Sequence, residues 1–373
     1  MHILFAGGGT AGHINPALAV AGYIKEHNDD VKISYIGTKS GLESRLVPKE
    51  GYDFYTIDVA GFQRKITLKN VKRNISAACK AVTSSIAAKK LLEELKPDVV
   101  VGTGGYVSGP VLREATKLRI KTAIHEQNAF PGVTTKMLAP KVDRVMLAIP
   151  AAKKYLKLHK EPIITGNPIR QMLIKANRDI ARKQLGLDNR PMILSFGGSL
   201  GARAINEAVV GLIEWHQNSG SYYHFHGTGK SGVEKMNQML KEIDFNFDNN
   251  IIHVTEYIDN MDVLLAAADL VICRAGAITL GELQVCGKAS ILIPSPYVAE
   301  NHQYYNAMSL VECGAAEIIE EKDLTSEALI SKVKQLLNDL PRLNQMSQNA
   351  KKTAIVDSNK RIYDVIMDLL KNR

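Results

Sequence analysis

The feature that most limits the fold is a strand–glycine unit that occurs twice. His2-Ile3-Leu4-Phe5-Ala6 runs into Gly7-Gly8-Gly9-Thr10-Ala11-Gly12, and Met192-Ile193-Leu194-Ser195-Phe196 runs into Gly197-Gly198-Ser199-Leu200-Gly201-Ala202. A short apolar run ending in glycine ahead of an amphipathic stretch reads as a buried parallel strand feeding a helix. Its recurrence predicts two similar α/β domains rather than one large sheet. A chain of 373 residues is long enough to bury two cores. Strands are expected at 2–6, 32–36, 98–101, 122–125, 144–147 and 162–165, and again at 192–196, 222–226, 251–255, 270–273, 290–293 and 316–319. Helical patterns at 16–27, 80–95, 202–215, 262–267 and 279–285 separate several of them. The first domain is expected over 1–165 and the second over 166–353, with the junction near Thr165-Gly166-Asn167-Pro168. An amphipathic helix over 354–373 has a pattern that suits either domain.

Charge is divided unevenly between these halves. Residues 1–165 carry 25 Lys+Arg against 14 Asp+Glu, a net +11, and residues 166–373 carry 22 against 24, a net −2. A basic half favours an acidic partner such as a phosphorylated ligand, an anionic membrane or nucleic acid, although a basic surface also simply aids solubility. No run of about 18 apolar residues is present. The N-terminal stretch lacks a basic leader, so no signal peptide is expected. Cys79, Cys273, Cys286 and Cys313 lie among apolar residues without CxxC spacing, which predicts reduced thiols in a cytoplasmic protein.

Several polar groups gather where the strands should end. Asn15-Pro16 reads as a helix N-cap and first residue, so the loop 7–12 would present backbone N–H groups to a phosphate. Tight turns need glycine too. His13, in that loop, has two open roles: a neutral general base, or a loop imidazole bonded to the backbone. A second glycine-rich stretch, Gly102-Thr103-Gly104-Gly105-Tyr106-Val107-Ser108-Gly109-Pro110, and His125-Glu126-Gln127-Asn128 follow the next strands and place more polar groups on the same edge. In the second half, Thr279 and Glu282 have capping-box spacing, and Glu282 equally suits a ribose hydroxyl. No Asp-x-Asp motif and no His/Cys cluster is found, so no metal and no cofactor are expected.

These motifs, with Gly166-Asn167-Pro168-Ile169-Arg170 and Cys273-Arg274-Ala275-Gly276-Ala277, resemble in order the MurG family, the bacterial transferases of cell-wall synthesis. The resemblance covers nearly the whole chain. It implies a GT-B fold, two Rossmann-like α/β domains facing across a cleft. It further implies inverting transfer of N-acetylglucosamine (GlcNAc) from UDP-GlcNAc to the C4 hydroxyl of the muramic acid of lipid I, giving lipid II and UDP. By the same resemblance Thr10, Ala11, Gly12 and Asn128 approach the donor sugar, and Arg170 and Ser199 meet the diphosphate. Ile258 would meet the uracil through its backbone. Ala277, Ile278, Thr279, Leu280, Gly281 and Glu282 would form the diphosphate and ribose site, and Gln303 would reach the sugar hydroxyls. Gly9, Gly104, Gly105 and Tyr106 would face the acceptor diphosphate. His13 and Glu126 are the candidate catalytic residues, His13 the better placed to assist the acceptor hydroxyl. The chain departs from the family pattern with Ala11 for glycine, Leu200 for glutamine, and Ala289 in place of proline after Lys288.

A lipid acceptor implies peripheral attachment to the cytoplasmic face of the cell membrane. Ile75, Cys79, Val82 and Ile86 fall at helical spacing among Lys72, Arg73, Lys80 and further lysines, which fits an anionic membrane surface and also an ordinary core-facing stripe. Rival readings are a UDP-GlcNAc 2-epimerase and a transferase with another lipid acceptor. Nucleic acid is not an expected partner, because aromatics are 6% of residues and no basic strip interleaves with them. A dinucleotide dehydrogenase would need a clean GxGxxG with an acidic residue about 20 positions on, and neither glycine loop supplies it.

Overall fold

The computed structural model describes residues 1–59, 83–217, 219, 221–247 and 250–371. The chain divides into two compact units, Met1–Pro168 with Asp357–Arg373, and Ile169–Val356. The first unit holds strands β1 (His2–Gly7), β2 (Lys32–Gly37), β3 (Asp53–Thr56), β4 (Val99–Gly104), β5 (Lys121–Glu126), β6 (Arg144–Leu147) and β7 (Ile163–Ile164). Its helices are α1 (Ala11–His27), α2 (Glu43–Lys49), α3 (83–95), α4 (Gly105–Lys117) and α5 (Val133–Leu138). The strands form one parallel sheet in the order β3-β2-β1-β4-β5-β6-β7.

The second unit has helices α6 (Gln171–Ile174), α7 (Arg178–Gln184), α8 (Arg203–His216), α9 (Val233–Glu242), α10 (Met261–Ala267), α11 (Ala277–Cys286), α12 (His302–Val311), α13 (Ser326–Leu337) and α14 (Leu340–Lys352). Its strands are β8 (Met192–Phe196), β9 (Tyr223–Gly227), β10 (Ile252–Thr255), β11 (Leu270–Cys273), β12 (Ala289–Leu292) and β13 (Ala316–Ile318). They form a second parallel sheet, β10-β9-β8-β11-β12-β13. Parallel strands need helices on both faces, and each sheet accordingly carries an apolar cluster on either side. The last helix, α15 (Ser358–Lys371), belongs to the first unit, where Ile362, Val365, Ile366 and Leu369 pack beside Ile14, Ala17 and Ile24 of α1.

Local structure differs from the sequence expectations in four places. Helix α1 starts at Ala11 with Thr10 as its N-cap residue, so Asn15 is not a cap and Pro16 is the sixth helical residue. His13 therefore sits in the first turn of the helix rather than in a loop. The stretch 102–110 is not a loop either. Gly102–Gly104 end β4, Gly105 opens α4, and Pro110 is again the sixth helical residue. The turn is sharp because Gly104 and Gly105 adopt φ of +104° and +76°, a region that glycine enters without penalty. Thr279 lies inside α11, whose N-cap residue is Gly276, so the Thr279–Glu282 spacing forms no capping box. Strand β3 was absent from the expected set. It is a short edge strand with half-exposed side chains, and its pattern lacks the apolar run that marks its neighbours.

Candidate functional site

In each sheet the strand order reverses once, between β1 and β4 and between β8 and β11. Ligands of open parallel sheets bind beyond the carboxyl ends of the strands at such a point. Both glycine turns stand there, Gly7–Gly9 after β1 and Gly197–Gly201 after β8.

In the first unit the strand ends are drawn close together. Gly7 pairs with Gly104 across the sheet. A Cβ on Gly105 would collide with the Gly8 carbonyl oxygen, and one on Gly104 would meet the His13 ring. Ser108 ties this junction, its hydroxyl oxygen lying 2.6 Å from the carbonyl of Ala6 and 2.8 Å from that of Gly104, which share its one hydrogen. His13 Nδ1 lies 3.1 Å from the Gly8 carbonyl oxygen and 3.3 Å from Thr10 Oγ1. A carbonyl only accepts, so Nδ1 carries the hydrogen and the neutral ring has its lone pair on Nε2. Gly9, Thr10, Ala11, Gly12 and Tyr106 are exposed, and His13 is half-buried.

Two buried carboxylates lie at this edge. Glu126, at the end of β5, accepts from Asn128 N and Nδ2 at 3.1 Å each through Oε1, and from Gly132 N at 3.1 Å through Oε2. Both oxygens are engaged in holding the turn that carries Asn128. Glu43, in the first turn of α2, is fully buried. Its Oε1 accepts from Thr38 N at 2.9 Å and Thr38 Oγ1 at 2.7 Å, and its Oε2 accepts from Gly9 N at 3.2 Å. Burial opposes its charge, but these hydrogen bonds outweigh burial and hold the carboxyl below its ordinary value. The Gly9 amide, expected to face an acceptor diphosphate, is thus already committed to Glu43.

In the second unit the glycine turn is open. A hydrogen bond from Gly201 N to Gly198 O closes it at 2.9 Å, Gly198 has φ of +96°, and a Cβ there would meet nothing. Gly198, Ser199 and Leu200 are exposed. Among the described residues no acceptor engages the Ser199 or Leu200 amide. The turn borders a cavity of about 1050 Å³ that also meets Arg203, Arg274, Tyr297, Gln303 and Glu321. Arg274 pairs with Glu321, and Asn306 Nδ2 donates to Ala275 O at 3.1 Å, fixing the segment that precedes α11. Gln303 Oε1 accepts from Ser295 N at 2.8 Å.

Glu282, on α11, pairs with Arg170, whose Nη2 and Nε lie 2.9 and 3.1 Å from Oε1. Burial pushes the Glu282 carboxyl above its ordinary value, and Arg170 works against that rise. Ile258 turns its side chain into the core beside Gly227. The N-terminus of α11, at Ile278 and Thr279, presents helix-end N–H groups.

Of the expected membrane stripe, Lys72, Arg73, Ile75, Cys79, Lys80 and Val82 lie outside the described residues. Ile86 on α3 is 66% exposed, beside exposed Lys89 and Lys90. Among the described residues no helix is long and apolar enough to cross a membrane, and no group of three metal-ligating side chains occurs. The sequence reading missed Glu43 and a buried polar chain in the second unit. In that chain Ser195 Oγ lies 2.7 Å from both His224 Nε2 and His226 Nδ1, and His216 Nε2 lies 3.4 Å from His224 Nδ1.

The chain matches the Glycosyltransferase family 28 N-terminal domain over 3–147 and the Glycosyltransferase family 28 C-terminal domain over 192–362. It is 44% identical to the UDP-N-acetylglucosamine–N-acetylmuramyl-(pentapeptide) pyrophosphoryl-undecaprenol N-acetylglucosamine transferase of Acetivibrio thermocellus, over all of this chain and 99% of that protein. The protein of the same description from Ruminiclostridium cellulolyticum is 44% identical over 99% of this chain and its own full length. The crystal structure of Acinetobacter baumannii MurG superposes with a TM-score of 0.81 at 31% identity, covering 98% of this chain and 99% of that one.

Proposed function

This chain belongs to glycosyltransferase family 28 and within it to the MurG transferases, and from that premise we propose how its residues divide the reaction. It transfers GlcNAc from UDP-GlcNAc to lipid I, the undecaprenyl-diphosphate-linked muramyl pentapeptide, in peptidoglycan synthesis. The epimerase alternative is not favoured.

The second unit holds the donor. The open turn at Ser199 and the α11 N-terminus receive the diphosphate through backbone N–H groups, which take up the charge that develops as UDP leaves. Glu282, held by Arg170, accepts from the ribose hydroxyls. The Ile258 backbone meets the uracil, and Gln303 meets the GlcNAc hydroxyls. The first unit serves the acceptor, with His13 as general base. His13 Nε2 takes the proton of the muramyl C4 hydroxyl as its oxygen attacks the anomeric carbon, and the configuration inverts in one displacement. Glu126 holds Asn128 and moves no proton. The enzyme attaches peripherally at the cytoplasmic face of the membrane, and exposed Ile86 with Lys89 and Lys90 supports this.

The observation that carries the base assignment is the bond from His13 Nδ1 to the Gly8 carbonyl, because it leaves the basic lone pair on Nε2. His13→Ala is expected to lower kcat by about 10²- to 10⁴-fold with the KM for UDP-GlcNAc little changed. The assay follows labelled GlcNAc onto a lipid I analogue in chelator. Turnover near the wild-type rate removes His13 from the chemistry, and UDP release without acceptor reopens the epimerase reading.

A further inference from the structure

Glu43 and His13 grip opposite sides of one peptide group. The amide between Gly8 and Gly9 has its N–H on Glu43 Oε2 at 3.2 Å and its C=O on His13 Nδ1 at 3.1 Å. In a trans peptide these two bonds point away from each other, so carboxylate, peptide and imidazole form one line of hydrogen bonds. The carboxylate cannot easily leave this line. Thr38 holds its other oxygen with two donors, and a Cβ on Gly8, Gly37 or Gly41 would collide with the Glu43 side chain. Three glycines, two just ahead of Glu43 and one distant in the sequence, thus leave room for one buried carboxylate.

We propose that Glu43 is a positioning residue that acts on His13 through the Gly8–Gly9 peptide, fixing the imidazole as the Nδ1–H form. The proposal rests on His13 as the base. A carboxylate that accepts an amide N–H draws electron density toward the amide oxygen, since hydrogen bonds in a chain polarise one another. The Gly8 carbonyl becomes a stronger acceptor, and the ring keeps its hydrogen on Nδ1 with the lone pair on Nε2. When Nε2 takes the hydroxyl proton, the ring becomes an imidazolium with both nitrogens protonated. The peptide dipole and the charge of Glu43 then face that cation. Glu43 itself takes no proton, and its role parallels the carboxylate of a His–carboxylate pair with a peptide interposed. The same geometry explains why a carboxylate lies under a glycine turn that has the pattern of a phosphate loop: the turn orients a base.

The test combines kinetics with imidazole ¹⁵N NMR on the full-length enzyme labelled at histidine, with the His13 signals assigned from His13→Ala. In wild-type enzyme at a pH where the ring is neutral, His13 is expected to be chiefly the Nδ1–H form. Finding Nε2–H as the main form overturns the proposal and does not depend on any Glu43 variant folding. Glu43→Gln retains shape but cannot accept from both Thr38 and Gly9 with equal charge. It is expected to lower kcat on the order of tenfold or more, leave the KM for UDP-GlcNAc unchanged, and shift His13 toward the Nε2–H form. A Glu43→Gln enzyme with unchanged tautomer populations overturns the relay even if kcat falls. A His13→Ala enzyme that keeps its turnover defeats the base assignment alone, while the tautomer measurement still decides whether Glu43 sets the ring.

Discussion

The two glycine turns share a sequence pattern and a place in their sheets, yet their backbone amides meet opposite surroundings. Beneath the turn after β1 lies Glu43, which takes the Gly9 amide for itself. Among the described residues no carboxylate accepts from the amides of the turn after β8, and Ser199 and Leu200 stand exposed at a large cavity. A glycine turn at a strand end is therefore an anion receptor only if the protein has not already supplied the anion. In one unit the motif stands open at a cavity, and in the other its Gly8–Gly9 peptide is bonded to Glu43 and His13.

The largest expected difference between the units appears in acid. The second unit buries three imidazoles. Burial holds His216 and His226 down at about 4, and burial with neighbouring imidazoles holds His224 well below its ordinary value. A base whose folded pKa is lowered favours the unfolded state once protons can bind there. The stability these residues allow is present above the unfolded value near 6.5 and is lost as pH falls from there toward 4. The first unit has one fully buried imidazole, His125, also held low by burial. Hydrogen exchange followed from pH 7 to pH 5 should show peptides of 169–356 losing protection before those of 1–168. Loss in the reverse order would break the comparison.

A smaller effect tests occupancy directly. Leu200 is 71% exposed, so Leu200→Glu should fold normally while placing a carboxylate at the open turn. It should raise the KM for UDP-GlcNAc about tenfold, which is the scale of one added like charge near a diphosphate, with little change in kcat. An unchanged KM would mean that the open turn does not hold the diphosphate. The smallest effect concerns Arg170. Because burial already raises the Glu282 carboxyl, Arg170→Ala should raise it further. The charged form then costs more, so the stability deficit, about 1–2 kcal/mol, is present at neutral pH and shrinks as Glu282 becomes protonated in acid. Thermal melts of the variant at pH 7 and pH 5 would show it, and a deficit that grows in acid would contradict the pairing.

Most strands were legible because parallel strands buried on both faces must be apolar runs. Helix starts were not. Proline at position 16 looked like a first helical residue, but the chain turns at Gly9, with φ of +86°, and α1 begins at Ala11. Glu43 was invisible for a related reason. Its burial depends on space left by Gly37 and Gly41 nearby and by Gly8, which is remote in the sequence. Glu282 carried two readings in the sequence, and the position of Gly276 as N-cap residue removes the capping box. The His224–His226 alternation lay within an expected strand, but nothing in it announced that Ser195 would bridge the two rings.

The return of α15 to the first unit has a consequence for biosynthesis. The second unit is inserted within the first, and four core side chains of the first, Ile362, Val365, Ile366 and Leu369, belong to α15, which follows the second unit in the sequence. On the ribosome, the half that begins first is therefore completed last. Until α15 emerges, the face of α1 that it covers stays open, and His13 sits in the opening turn of that same helix.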